Sequence, residues 1–152
     1  MLSGSSAPWA AHDRREIARL GEAVDRSGAA VLGICAGMQL LAEWAGAEVR
    51  PLGDRGADAE RGFMPVEVLD DADLLAGLPG TATVFQDHQD EVVSVPGGFR
   101  LLARSATVPV QAFADEEGRW WGTQFHPEWS DDDHPDGNRV LENFFTLARG
   151  SD

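Results

Sequence analysis

A single cysteine, Cys35, stands between two glycines in Gly33-Ile34-Cys35-Ala36-Gly37, and far downstream proline joins a histidine to a glutamate in His126-Pro127-Glu128. These residue types suit nucleophilic catalysis. A thiol attacks, an imidazole moves the proton, and a carboxylate fixes the imidazole's tautomer and steadies its charged form. Gly-x-Cys-x-Gly describes a sharp strand-to-helix turn, the nucleophile elbow. The flanking residues must lack side chains because the two backbones approach closely there. Such a turn places the sulfur at a helix N-terminus, where backbone N–H groups and the dipole favour the thiolate. The N–H of Ala36 then points to where an oxyanion would form. Residues two apart in an extended chain project to the same side, so His126 and Glu128 can leave a strand end together, while Pro127 stops the ladder.

Each of these residues also has a plainer reading. Free cysteine is often a small buried hydrophobe, a histidine at a turn is common, and most glutamates are simply solvated. A metal site is a further alternative, because His126, Glu128, Asp131, Asp132, Asp133 and His134 are crowded together. The lack of helical histidine spacing and of a second cysteine argues against zinc, and the aspartate run reads as a solvated loop.

The elements that must position these groups follow from pattern. Met1-Leu2 ends a strand, and Ser3 to Pro8 form a small-residue loop. A helix starts at the N-cap Asp13, carries Ile17, Leu20, Gly21 and Val24 on one face, and stops at Gly28. Ala29 to Ile34 is a continuous apolar strand of the kind buried on both faces of a parallel sheet. The helix after Cys35 carries Met38, Leu41 and Trp44. Strands are expected at Phe63 to Leu69, Thr81 to Phe85, Glu91 to Val95, Phe99 to Ala103, Val110 to Ala114 and Trp120 to Phe125. A helical turn is expected within Asp71 to Leu78, and an amphipathic helix over Asn138 to Arg149. The order predicts one α/β domain over residues 1–152: a flavodoxin-like, mostly parallel sheet with helices on both faces and a small antiparallel portion. In such sheets the carboxyl ends of the strands line one crevice, which is where both chemical segments would deliver their side chains.

Composition narrows the function. The 152 residues carry 12 basic and 26 acidic side chains, a net charge of −14, with every basic residue an arginine. Phosphate contacts need clustered cations, so nucleic acid is disfavoured as a partner. No apolar run is long enough to span a bilayer and no basic-then-apolar leader is present, so neither a membrane nor a secretory route is expected. One cysteine suits a reducing compartment, here the cytoplasm.

With these stretches in view, the chain resembles the class I glutamine amidotransferases, the triad-type glutaminases, and within them the GMP-synthase-like branch. The resemblance rests on GICAGMQLL, on VFQDHQDEV with the later LLARSATVPVQAF, and on GTQFHPE followed by GNRVLENFF. It implies hydrolysis of the glutamine side-chain amide by Cys35, His126 and Glu128 through a glutamyl thioester, with no cofactor. The ammonia would pass to a partner synthetase. It further implies that Gln39, His88 and Asp90 bind substrate, and that Ala36 and Ser5 supply the oxyanion hole.

Two departures from the family stand out. The family's Ser-Gly-Gly-Pro loop is here Ser3-Gly4-Ser5-Ser6, so Ser5 keeps the second N–H but restricts the backbone where glycine is free. The family's strand-helix-strand unit before that loop has no counterpart ahead of Met1-Leu2. That leaves open a truncated chain, an edge covered by a second protein, or a weakened sheet. Two other activities also remain open: a γ-glutamyl hydrolase, and an idle binding or regulatory fragment.

Overall fold

The computed structural model describes residues 1–5, 7 and 9–150; Ser6 and Pro8 of the expected loop lie outside these. Helix α1, Arg14–Ser27, begins where the Asp13 carboxylate accepts from the Arg15 N–H at 2.8 Å. This satisfies one of the donors that the first turn leaves unpaired. Gly21 on α1 faces the indole of Trp44, whose Nε1 donates to the Ile17 carbonyl at 3.0 Å. This contact joins α1 to α2, Ala36–Trp44.

The main sheet runs β1 (Val31–Ile34), β8 (Trp120–Thr123), β7 (Ala112–Asp115), β6 (Phe99–Arg104), β3 (Glu60–Val68), β4 (Thr81–His88). A separate two-stranded ladder pairs β2 (Val49–Pro51) with β5 (Asp90–Val92). The result is an α/β fold built on a mixed sheet. Among the described residues, parallel pairing is confined to β1 with β8 and to a bridge from Leu2 to Gly33; the other ladders of the sheet are antiparallel. The α/β class expected from the sequence holds, and connection length explains why so many of these ladders are antiparallel. Parallel neighbours need a crossover of about a dozen residues or more, whereas β7 and β8 are joined by residues 116–119 alone. The expected strand over residues 91–95 is also shorter. It becomes β5, drawn off the main sheet by β2, which the sequence pattern did not signal.

Helices do cover both faces. Val31, Met38, Leu41, Ala42 and Phe113 form one core under α2. Leu32, Ile34, Ala112, Ala114 and Trp121 meet Val140 and Phe144 of α3 (Asp136–Gly150) in the other. The alternation along β1 and β7 sends neighbouring residues into opposite cores, as the strand period requires. No described helix is long and apolar enough to cross a membrane.

Close backbone approach explains the elbow glycines. A Cβ on Gly33 would lie 2.5 Å from the Gly37 carbonyl oxygen, and one on Gly37 only 2.3 Å from that of Leu2. Leu2 is itself held in place, donating to the Leu32 carbonyl at 2.8 Å and accepting from the Ile34 N–H at 2.9 Å. Because the clash is with backbone, a side chain cannot rotate away from it. Gly37→Ala is expected to cost about 2–3 kcal/mol, read as a lower urea midpoint at unchanged slope.

Candidate active site

Strands β1 and β8 end side by side, Ile34 opposite Thr123, and both chemical segments leave from that edge. The Cys35 N–H donates to the Thr123 carbonyl at 2.7 Å, tying the elbow to β8. Cys35 sits at φ 53°, ψ −111°, a backbone region that costs a non-glycine residue about 1–3 kcal/mol. The sulfur is buried, shares a cavity with Ser3, Gly4 and Ser5, and lies 3.9 Å from the Asp87 carbonyl oxygen. Ala36 opens α2, so its N–H has no acceptor within the helix.

After Thr123 the chain leaves β8. The Gln124 N–H donates to the Gln111 carbonyl and the His126 N–H to the Phe85 carbonyl, each at 2.8 Å, so His126 bridges antiparallel to β4. The expected strand into His126 is thus a swing across the sheet from β8 to β4. The turn that Pro127 begins brings the Glu128 carboxylate to 2.7 Å from His126 Nδ1. The other side of the ring faces Gly4, where an added Cβ would lie 3.0 Å from His126 Cε1, 3.4 Å from Cys35 Cβ and 3.7 Å from His126 Nε2. Imidazole and cysteine therefore flank one small gap that a side chain at position 4 would crowd. Burial works against charge on His126, but hydrogen bonding to Cys35 and to Glu128, with their negative charges, outweighs it. The imidazole's pKa is raised from 6.5 to about 10.

A cavity of about 520 Å³ opens over these groups, a size suited to a small-molecule ligand. Gln39, His88 and Asp90 all reach its lining. Gln39 is buried, and its side-chain amide donates at 3.2 Å to both the Asp90 carbonyl and the Gln124 side chain. Both ring nitrogens of His88 are engaged, Nδ1 with the Asp90 carbonyl at 2.9 Å and Nε2 with Glu60 at 3.0 Å. The Asp90 carboxylate accepts from the Trp9 N–H at 3.1 Å. These contacts brace the cavity wall from behind. Glu60 is buried, and burial alone would raise its pKa; hydrogen bonds from His88, Ser105 and Gln111 outweigh that and lower it. Ser5 lines the cavity, and its hydroxyl accepts from the Ala7 N–H at 3.2 Å.

Of the expected site residues, Cys35, His126, Glu128, Gln39, His88, Asp90 and Ser5 line one cavity, and Ala36 does not. Among the described residues no cluster of three or more His, Cys, Asp or Glu side chains is arranged for a metal ion. The aspartate run folds on itself instead, with Asp131 accepting from the backbone and the Nδ1 of His134 at 2.7 and 2.9 Å. Among the cavity residues that the sequence reading did not single out are Trp129 and Arg61. Trp129 stacks on His126 with centroids 5.3 Å apart, and Arg61 lies on the wall opposite Asp87. No local pattern marks either, since both depend on pairing across the sheet or on the loop after Glu128.

The sequence model of the glutamine amidotransferase class-I family matches residues 5–148. The chain belongs to this family. A glutamine-hydrolysing GMP synthase subunit of Pyrococcus furiosus is 42% identical over 118 residues, covering 78% of this chain and 60% of that protein. The Thermococcus kodakarensis protein of the same name is 41% identical over 127 residues, covering 84% and 64%. The chain thus spans less than two thirds of these relatives' length. A crystal structure of a protein assigned as a GMP synthase subunit from Thermoplasma acidophilum superposes with a TM-score of 0.85 at 32% identity, over 98% of this chain and 71% of that one. Within this class-I amidotransferase chain, Cys35, His126 and Glu128 stand in the same cavity.

Proposed function

We propose that the protein hydrolyses the side-chain amide of glutamine with Cys35 as nucleophile, His126 as proton carrier and Glu128 as its orienting carboxylate, and that the ammonia serves a synthetase partner. The observation that carries this reading is the shared gap of Cys35 and His126 beneath Gly4, with Glu128 at 2.7 Å behind the ring.

In the first half-reaction the Cys35 sulfur attacks the amide carbon, and the carbonyl oxygen becomes an oxyanion. The Ala36 N–H would receive it, with the Ser5 N–H as the second donor. As the carbon–nitrogen bond breaks, the charged His126 gives its proton to the leaving nitrogen and ammonia departs, leaving a glutamyl thioester. That step also resets the base. Two of the influences that keep His126 protonated come from Cys35, and both vanish once the sulfur is acylated. Burial then weighs more heavily against the charged ring, which only Glu128 still supports. Neutral His126 takes a proton from water, hydroxide attacks the thioester carbon, and glutamate leaves as the proton returns to the Cys35–His126 pair. Gln39, His88 and Asp90 shape the substrate pocket, the last two through the cavity wall.

The GMP synthase names of the relatives, which designate each as one subunit of that enzyme, support a separate acceptor of the ammonia. A flavodoxin-like continuation of the sheet on the β1 side belongs to the same reading, supported by the parallel bridge from Leu2 to Gly33. The test is covalent: incubation with a diazo-ketone analogue of glutamine is expected to add one analogue mass to the chain, at Cys35, and nothing to Cys35→Ser. Absence of the adduct counts against an assembled site. Ammonia release from glutamine, compared with a panel of other γ-glutamyl amides, separates the glutaminase from a γ-glutamyl hydrolase.

A further inference from the structure

The chemistry above engages only one end of glutamine, and the cavity holds two charged groups that it leaves unused. Arg61 and Asp87 face each other across the β3–β4 ladder. Their closest approach, Arg61 Nε to Asp87 Oδ1, is 3.7 Å, with side chains 75% and 53% exposed. That is beyond hydrogen-bond length, and an exposed pair of this kind holds neither partner firmly. The other carboxylates on the wall are committed, Glu128 to His126 and Asp90 to the Trp9 N–H. Arg61 is the one arginine among the described residues that line this cavity.

Position matters as much as charge. The Asp87 backbone carbonyl lies 3.9 Å from the Cys35 sulfur, so β4 passes beside the nucleophile, and the Arg61 and Asp87 side chains line the same cavity. The amide carbon and α-carbon of extended glutamine are about 4 Å apart by ordinary bond lengths. With the amide at Cys35, the zwitterionic head group falls beside this pair. A carboxylate entering an otherwise acidic cavity, in a chain of net charge −14, also needs a local cation to offset repulsion.

We infer that Arg61 and Asp87 form the head-group site: the Arg61 guanidinium receives the α-carboxylate and the Asp87 carboxylate receives the α-ammonium of the amino-acid substrate. This rests on the glutaminase reading for the identity of the ligand, and makes Arg61 a determinant of specificity for free α-amino acids over simple amides. Guanidinium is suited to this role because its planar fork can donate two parallel bonds to a carboxylate.

The test uses calorimetric binding to Cys35→Ala, which cannot turn over, with and without Arg61→Gln. Ligands are L-glutamine and 4-aminobutanamide, which keeps the amine and amide but lacks the α-carboxylate. Arg61→Gln is expected to weaken glutamine binding by about tenfold or more, as loss of a charge-assisted contact predicts, and to change 4-aminobutanamide binding less than about twofold. Arg61→Lys should restore part of the glutamine affinity. Equal glutamine affinity with and without Arg61, an equal loss for both ligands, or no glutamine binding at all overturns the assignment. Ammonia release by the chain with Cys35 intact is scored separately. Its absence sinks the hydrolytic reading, while an Arg61-dependent affinity for glutamine would still uphold the carboxylate site.

Discussion

Cys35→Ala is expected to lower glutamine-dependent ammonia release by at least about 10⁴-fold, because removing the proposed nucleophile from a unit of cooperating groups costs nearly the whole chemical advantage. The fold should survive. Cys35 is a small buried residue, and alanine fills most of its volume without adding a polar group. The substitution also eases none of the backbone constraint, since alanine at φ 53° is no freer than cysteine. An unchanged urea midpoint alongside lost turnover would therefore assign the defect to chemistry. Ammonia release within about tenfold of the parent would place the reaction elsewhere, since no chemistry through this sulfur survives its removal.

The second large effect concerns His126. On the proposed mechanism His126→Ala removes the group that protonates the leaving nitrogen and later activates water, and should lower turnover by about 10²–10⁴-fold. The pH profile gives the sharper reading. With its pKa raised to about 10, the ring holds its proton at neutral pH and loses it only as pH climbs through that value. Expulsion of ammonia should therefore fail on an alkaline limb near pH 10 when the first half-reaction is followed by single-turnover acylation. Glu128 is one of the two partners that raise the value, so Glu128→Gln should move that limb to lower pH. A limb that stays in place in Glu128→Gln would show that Glu128 does not support the charge.

What could be read from the chain alone follows from how far each signal reaches. Gly33 and Gly37 announce the elbow because their lack of side chains is a local necessity, visible within five residues and met again in the backbone contacts to Gly37 and Leu2. Asp13 and Gly28 bound α1 for the same reason, each satisfying a terminus it adjoins. The pairing directions were less legible. The apolar run of β1 correctly signals burial on both faces, but burial does not say which way a neighbour runs; the short connection after β7 decides that. Cross-sheet partnerships were least legible of all. Arg61 meets Asp87, and Gln39 meets Gln124, only because β3 lies on β4 and the chain after β8 swings over to Phe85. Gly4 is an intermediate case: it lay in a loop singled out for its family pattern, yet its role as the gap above the imidazole needs the folded chain.

The anchoring of Leu2 reaches beyond stability. Its two backbone bonds to Leu32 and Ile34 fix where the strap after it starts, and two positions later Gly4 lies against the imidazole. Spacing between anchor and gap is therefore a constraint on length. Substitutions in this strap have some latitude at exposed Ser3, whereas an insertion or deletion between Leu2 and Gly4 would slide a side chain against the imidazole of His126.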